Sequence, residues 1–134
     1  ENNAYQEPSS CSLESWQHAG ETLCSHIYGR TYAGLRKHMA MLHPDFDRWM
    51  IEVGYGRVLS RPGPTARERE LCAVAALAGQ FVAPQLRSHL QGAIHAGASR
   101  EECRAILDQT QRVWGQEAQR HVDQLWSRIY ARSI

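Results

Sequence analysis

Glu70 and His89 are the pair of residues in this sequence whose types and spacing suit proton-transfer chemistry. A carboxylate facing an imidazole fixes which ring nitrogen carries the proton and stabilises the charged ring, as a general acid or base requires. The same pairing also serves as a structural ion pair or as a satisfied core histidine, and spacing alone fits either. Other chemistries find less support. The remaining histidines (His18, His26, His38, His43, His95 and His121) form no H-E-x-x-H, and no Cys/His cluster has finger spacing, so no metal site is expected. There is no G-x-S-x-G and no phosphate-cradling loop, because Gly54 and Gly56 precede Arg57 and a loop rather than a helix start. Cys72 falls within an apolar run in mid-helix, which predicts a shielded, inert thiol.

Two helices must position the pair. Thr65-Ala66-Arg67-Glu68 is a capping box that starts a helix over 67–77, with Glu70 in its first turns and Gly79 as its stop. Pro84 opens the next helix, which carries His89 and turns Leu86, Leu90, Ala93 and Ile94 inward, and Gly97 ends it. The connection over 80–83 is short, so the two helices pack antiparallel and residues at matching heights face each other. Upstream, Leu13, Trp16, Leu23, Cys24 and Ile27 make a helical stripe with Ser12 as N-cap. A second helix over 31–42 stops at His43 because Pro44 follows. Pro44 starts a third, with Phe46, Trp49, Met50 and Val53 on its apolar side, weakened by Gly54 and Gly56 and ended by Ser60-Arg61-Pro62-Gly63-Pro64. Downstream, Ser99-Arg100-Glu101-Glu102 is a second capping box, Gly115 breaks the helix that follows, and a last helix covers 116–132. No stretch alternates with period two. The chain is therefore all-α, with about seven helices.

The 134 residues suffice for one domain, taken as 13–134, preceded by a flexible arm or linker at 1–12. Hydrophobic residues at 43% and charged residues at 22% are ordinary for a globular protein. A net charge of +1 gives no general attraction to nucleic acid or anionic membrane, and no apolar run approaches the ~20 residues of a membrane span. The cations are fourteen arginines and the single Lys37, a bias that fits a GC-rich genome or bidentate carboxylate binding by one or two of them. Cys11, Cys24, Cys72 and Cys103 form no C-x-x-C, which suggests mostly buried free thiols in a reducing, cytoplasmic setting. The start, Glu1-Asn2-Asn3, suggests a C-terminal piece of something longer.

The stretch over 55–118 resembles the carboxymuconolactone decarboxylase family, part of the peroxiredoxin-like superfamily that includes the alkyl hydroperoxidase D proteins. The matching phrases are Gly56-Arg57-Val58-Leu59-Ser60-Arg61-Pro62-Gly63, Arg69-Glu70-Leu71, Gln85-Leu86-Arg87-Ser88-His89-Leu90-Gln91-Gly92-Ala93 and Gly97-Ala98-Ser99-Arg100-Glu101-Glu102. The resemblance implies an alkyl hydroperoxidase D-like fold, all-α and built around an antiparallel helical hairpin, that assembles as a homo-oligomer, a trimer or hexamer. It implies a cytoplasmic enzyme of aromatic catabolism, a lyase that removes CO2 from a small carboxylated lactone without a cofactor. His89 and Glu70 match the catalytic positions. Arg61 is the candidate grip on a substrate carboxylate, with Arg57 and Tyr55 nearby as further substrate contacts.

The peroxidase branch of that family carries C-x-x-C four residues before its histidine. Val82 and Gln85 stand at those positions, so a thiol peroxidase of that type has no nucleophile here. Arg57 stands where the decarboxylases have Glu, Val113 and Trp114 stand where Tyr is frequent, and Gln116 replaces a Pro. These departures point to a changed pocket, and they leave a non-catalytic oligomeric family member as the alternative. Peroxide chemistry through Cys72 or Cys103 is the less favoured one.

Overall fold

Residues 12–130 are described by a computed structural model, and they are helical nearly throughout, with no strand among them. The chain divides between Ala66 and Arg67 into two compact units. The expected arm lies outside the described residues except for Ser12.

The first unit contains α1 (Leu13–Tyr28), a short 3-10 turn (Gly29–Thr31), α2 (Tyr32–Leu42) and α3 (Pro44–Trp49). Ser12 caps α1 through a reciprocal box with Ser15, each side chain 3.2 Å from the other's backbone nitrogen. His43 is extended, as the residue before a proline must be, and its Nδ1 accepts from the Asp45 backbone N–H at 3.1 Å. The expected third helix is a single α-helix, but the chain widens after Trp49 into a π-helix (Met50–Leu59). The glycines that weaken α-helical winding here have a second use. A Cβ on Gly20 would overlap the Ile51 carbonyl, and one on Gly56 would overlap the Trp16 carbonyl. Helix α1 and the π-helix therefore cross with their backbones in contact, around a core of Cys24, Ile27, Ile51 and Tyr55. Arg36 joins α2 to α3 by a fork on Asp47, with Nη2 2.8 Å from Oδ2, and that bond raises the guanidinium pKa.

The second unit contains α4 (Ala66–Gln80), α5 (Ala83–His95) and α6 (Arg100–Tyr130). Its core joins Val74 and Ala78 of α4, Leu86, Leu90 and Ala93 of α5, and Cys103, Leu107 and Val122 of α6. The second capping box forms: Ser99 N–H donates to Glu102 at 2.9 Å and Glu102 N–H donates to Ser99 Oγ at 3.1 Å. Gly115 adopts φ 85 and ψ −179, so α6 is two helical stretches joined at a break, corresponding to the expected sixth and seventh helices. The end of α4 departs from expectation. Gly79 does not stop it: the helix continues to Gln80 and Phe81 takes the left-handed turn position, at φ 58. Gly79 is small for a different reason, because a Cβ there would overlap the Trp114 indole.

Candidate functional site

On α4 the buried positions recur as Glu70, Val74 and Ala78, one helical face. That face carries the Glu70 carboxylate to 3% exposure. A carboxylate so desolvated needs a partner. His89 on α5 supplies it, with Nδ1 2.8 Å from Oε2. The two-residue turn at Phe81 and Val82 reverses the chain, so the early turns of α4 meet the second turn of α5 at this height. The ring keeps 23% of its side-chain surface exposed, so the carboxylate is shielded while the imidazole still reaches solvent. With Nδ1 donating to Glu70, Nε2 is the nitrogen left for proton exchange. The Arg67–Glu102 ion pair ties the start of α4 to the start of α6.

The other expected site residues lie in the first unit. Tyr55 is buried, with its hydroxyl 3.0 Å from that of Tyr28. The Arg57 guanidinium lies over the Trp16 ring, 4.9 Å from its centroid. Arg61 is exposed and its Nε donates to the Val58 carbonyl at 2.9 Å. The structure thus brings Glu70 and His89 together and gives Tyr55, Arg57 and Arg61 local partners within their own unit.

Cys72 is exposed, not shielded in the apolar run, because it lies two residues from Glu70 and so on the opposite side of α4. Cys24 and Cys103 are buried, and burial pushes the Cys103 thiol pKa up against weaker opposing effects of a backbone hydrogen bond and Arg67. Cys11 lies outside the described residues. Among the described residues no three His, Cys, Asp or Glu side chains converge as metal ligands, and no helix is long and apolar enough to cross a membrane.

Residues 44–127 match the carboxymuconolactone decarboxylase family, more than half of the chain. The chain belongs to that family. This family member is also similar to Peroxisomal protein 2 of Schizosaccharomyces pombe, with 33% identity over 84 residues, which cover 62% of this chain. It spans about 39% of the length of that curated relative. The matched region takes in both partners of the carboxylate–imidazole pair and the three first-unit candidates.

Sequence reasoning missed a cavity in the second unit, lined in part by Phe81, Leu86, His121 and Arg128. Its signal was present in the last helix, where Glu117, His121, Gln124 and Arg128 follow one another at helical spacing. The wall that faces them depends on the turn at Phe81, which propensity would assign to glycine.

Proposed function

We propose that this family member catalyses cofactor-free decarboxylation or proton transfer on a small carboxylated lactone or related acid, with His89 as general acid/base. The observation that carries the reading is the 2.8 Å contact between the buried Glu70 carboxylate and the partly exposed His89 ring. In decarboxylation the bond from carbon to the leaving carboxylate breaks and its electron pair stays on the substrate carbon. Protonated His89 delivers the Nε2 proton to that carbon, and solvent reprotonates the neutral ring. Glu70 holds the ring through Nδ1 and sets which nitrogen is left for the substrate, so it acts as a positioning residue. Arg61 is proposed as the contact for a substrate carboxylate, with Arg57 and Tyr55 as further substrate contacts.

Assembly as a trimer or hexamer is part of the proposal. Met41, Leu42, Phe46, Trp49 and Val53 are large apolar side chains left exposed on the first unit, as subunit contacts would be. Free thiols at Cys24, Cys72 and Cys103 suit a reducing compartment, which we take to be the cytoplasm; the name of the S. pombe relative adds the peroxisome as an alternative. The second reading is a non-catalytic oligomeric family member. It draws on Arg57, which occupies a decarboxylase Glu position and stacks on Trp16.

The test is a spectrophotometric assay with 4-carboxymuconolactone, run beside His89→Ala. Turnover lost in the variant supports the assignment. Equal turnover in both proteins removes His89 from the mechanism, and no turnover on this or related small acids moves the weight to the non-catalytic reading.

A further inference from the structure

We propose that the cavity of the second unit is a binding site for a small amphipathic monocarboxylate, separate from the Glu70–His89 pair. It encloses about 500 Å3, and neither Glu70 nor His89 lines it. Pockets that take small organic ligands fall in this size range, with mostly apolar walls and a few convergent polar groups. Here the apolar part is made by Leu86 of α5 with Val122 and Leu125 of α6. The polar part is a single stripe of α6, Glu117, His121, Gln124 and Arg128, whose spacing puts all four on one face.

Two observations indicate that this wall is held in place. Phe81 sits at φ 58, a left-handed conformation that a bulky residue rarely adopts and that glycine takes more easily. A phenylalanine kept in such a position is strained, and such strain clusters at sites where the side chain has a task. Its ring stands edge-on to His121, 4.4 Å between centroids, and both rings line the cavity. His121 is fixed from the other side, where its Nδ1 lies 2.9 Å from the Glu117 carbonyl. That contact is made by a donating Nδ1–H, so Nε2 is the nitrogen available to a ligand.

The distribution of charge selects the ligand. Arg128 is permanently cationic and presents a fork that suits a carboxylate. Gln124, one turn earlier, can add an amide donor. Glu117 lies eleven residues before Arg128, roughly 16 Å along a helix. A second anionic group reaching that end would meet a like charge, and an aliphatic or aromatic body would meet Phe81, Leu86, Val122 and Leu125. The chemistry that fits is one carboxylate on an apolar body.

Calorimetric titration of the full chain with octanoate, suberate and octylamine tests this. Octanoate is expected to bind saturably. Suberate, whose second carboxylate must lie among the apolar walls, is expected to bind about tenfold more weakly, and octylamine, which cannot pair with Arg128, more weakly than octanoate. Arg128→Gln should weaken octanoate about tenfold. Val122→Trp, which fills the cavity, should remove binding, and His89→Asn, whose amide can still donate to Glu70, should leave it unchanged. Arg128 is exposed, so its substitution decides the matter even if the tryptophan variant fails to fold by circular dichroism. The proposal is overturned if octanoate does not bind, if octylamine binds as well as octanoate, or if Arg128→Gln binds as tightly as the parent. Loss of binding in a His89→Asn protein that keeps its fold by circular dichroism would also overturn it, by assigning the carboxylate to the Glu70–His89 pair.

Discussion

Two of the molecule's pairs of a carboxylate with a nitrogen base, one in each unit, differ in burial and in the base. In the first, Arg36 grips Asp47, and the two side chains keep 28% and 18% of their surface exposed. In the second, Glu70 is 3% exposed and its partner His89 is 23% exposed. The guanidinium never gives up its proton under ordinary conditions, so the first pair is a fixed clamp between α2 and α3. An imidazole, unlike a guanidinium, can exist neutral or charged, so the second pair suits the proton transfer proposed for it. A similar type of contact, a carboxylate on a nitrogen base, is a permanently charged clamp in the first pair and serves the proposed proton transfer in the second.

The largest expected effect lies on the proton-handling side. His89→Ala should lower turnover by at least about a hundredfold, the usual contribution of a general acid or base, and should also lower the melting temperature, because it leaves the buried Glu70 carboxylate without its partner. Glu70→Gln should also lower kcat with little change in KM, because an amide that can turn either its oxygen or its NH2 toward Nδ1 no longer fixes the ring's tautomer. A Glu70→Gln enzyme with unchanged kcat would remove Glu70 from its positioning role.

Backbone packing in the first unit gives the next effect. Gly56→Ala drives a methyl into the Trp16 carbonyl and should cost about 2 kcal/mol in chemical denaturation. Gly54→Ala, in the same π-helix, finds its nearest neighbour at 3.9 Å and should be neutral or stabilising. Equal losses for both would mean that the contact between α1 and the π-helix is not what requires glycine.

Breaking the clamp is expected to matter less. Arg36→Ala should cost about 1 kcal/mol, because both partners are partly solvated, and should leave turnover unchanged. The comparison between the pairs fails if Arg36→Ala lowers turnover as far as Glu70→Gln does.

The smallest effect is alkaline. Burial raises the thiol pKa of Cys103 and the phenol pKa of Tyr130 in the folded second unit. Such acids favour the folded state fully below their unfolded pKa values, and that contribution is lost as pH rises through them, starting near ~8.5 for a thiol. Stability should therefore fall from pH 8 to pH 10, and Cys103→Val should make the fall shallower. A neutral iodoacetamide reaction on the native protein should label Cys72 well ahead of Cys24 and Cys103, because Cys72 alone of the three is exposed.

Much of the helical plan was legible because caps and breakers act locally. Ser12, Pro44, Ser99 with Glu102, Gly97 and Gly115 each mark a helix boundary or break where expected. The Glu70–His89 contact was legible as well, because a short connection between two helices leaves few registers open. The π-helix was not, since Gly54 and Gly56 read as weakness rather than as room for α1. Gly79 was misread as a stop for the same reason: its small size serves the Trp114 indole. Cys72 was misplaced because a run of apolar residues hides which side of a helix faces the core.

The sequence by itself determined the helical class and most helix boundaries, and it singled out Glu70 and His89 as a candidate pair, because capping, periodicity and chain connectivity act over short separations; that the two side chains meet is shown by the structure. Tertiary structure decided how deeply Glu70 is buried, why Gly20, Gly56 and Gly79 must be glycine, and that Phe81 and the last helix enclose a cavity. Those outcomes depend on which atoms meet across helices far apart in the chain, and no local preference encodes such a meeting.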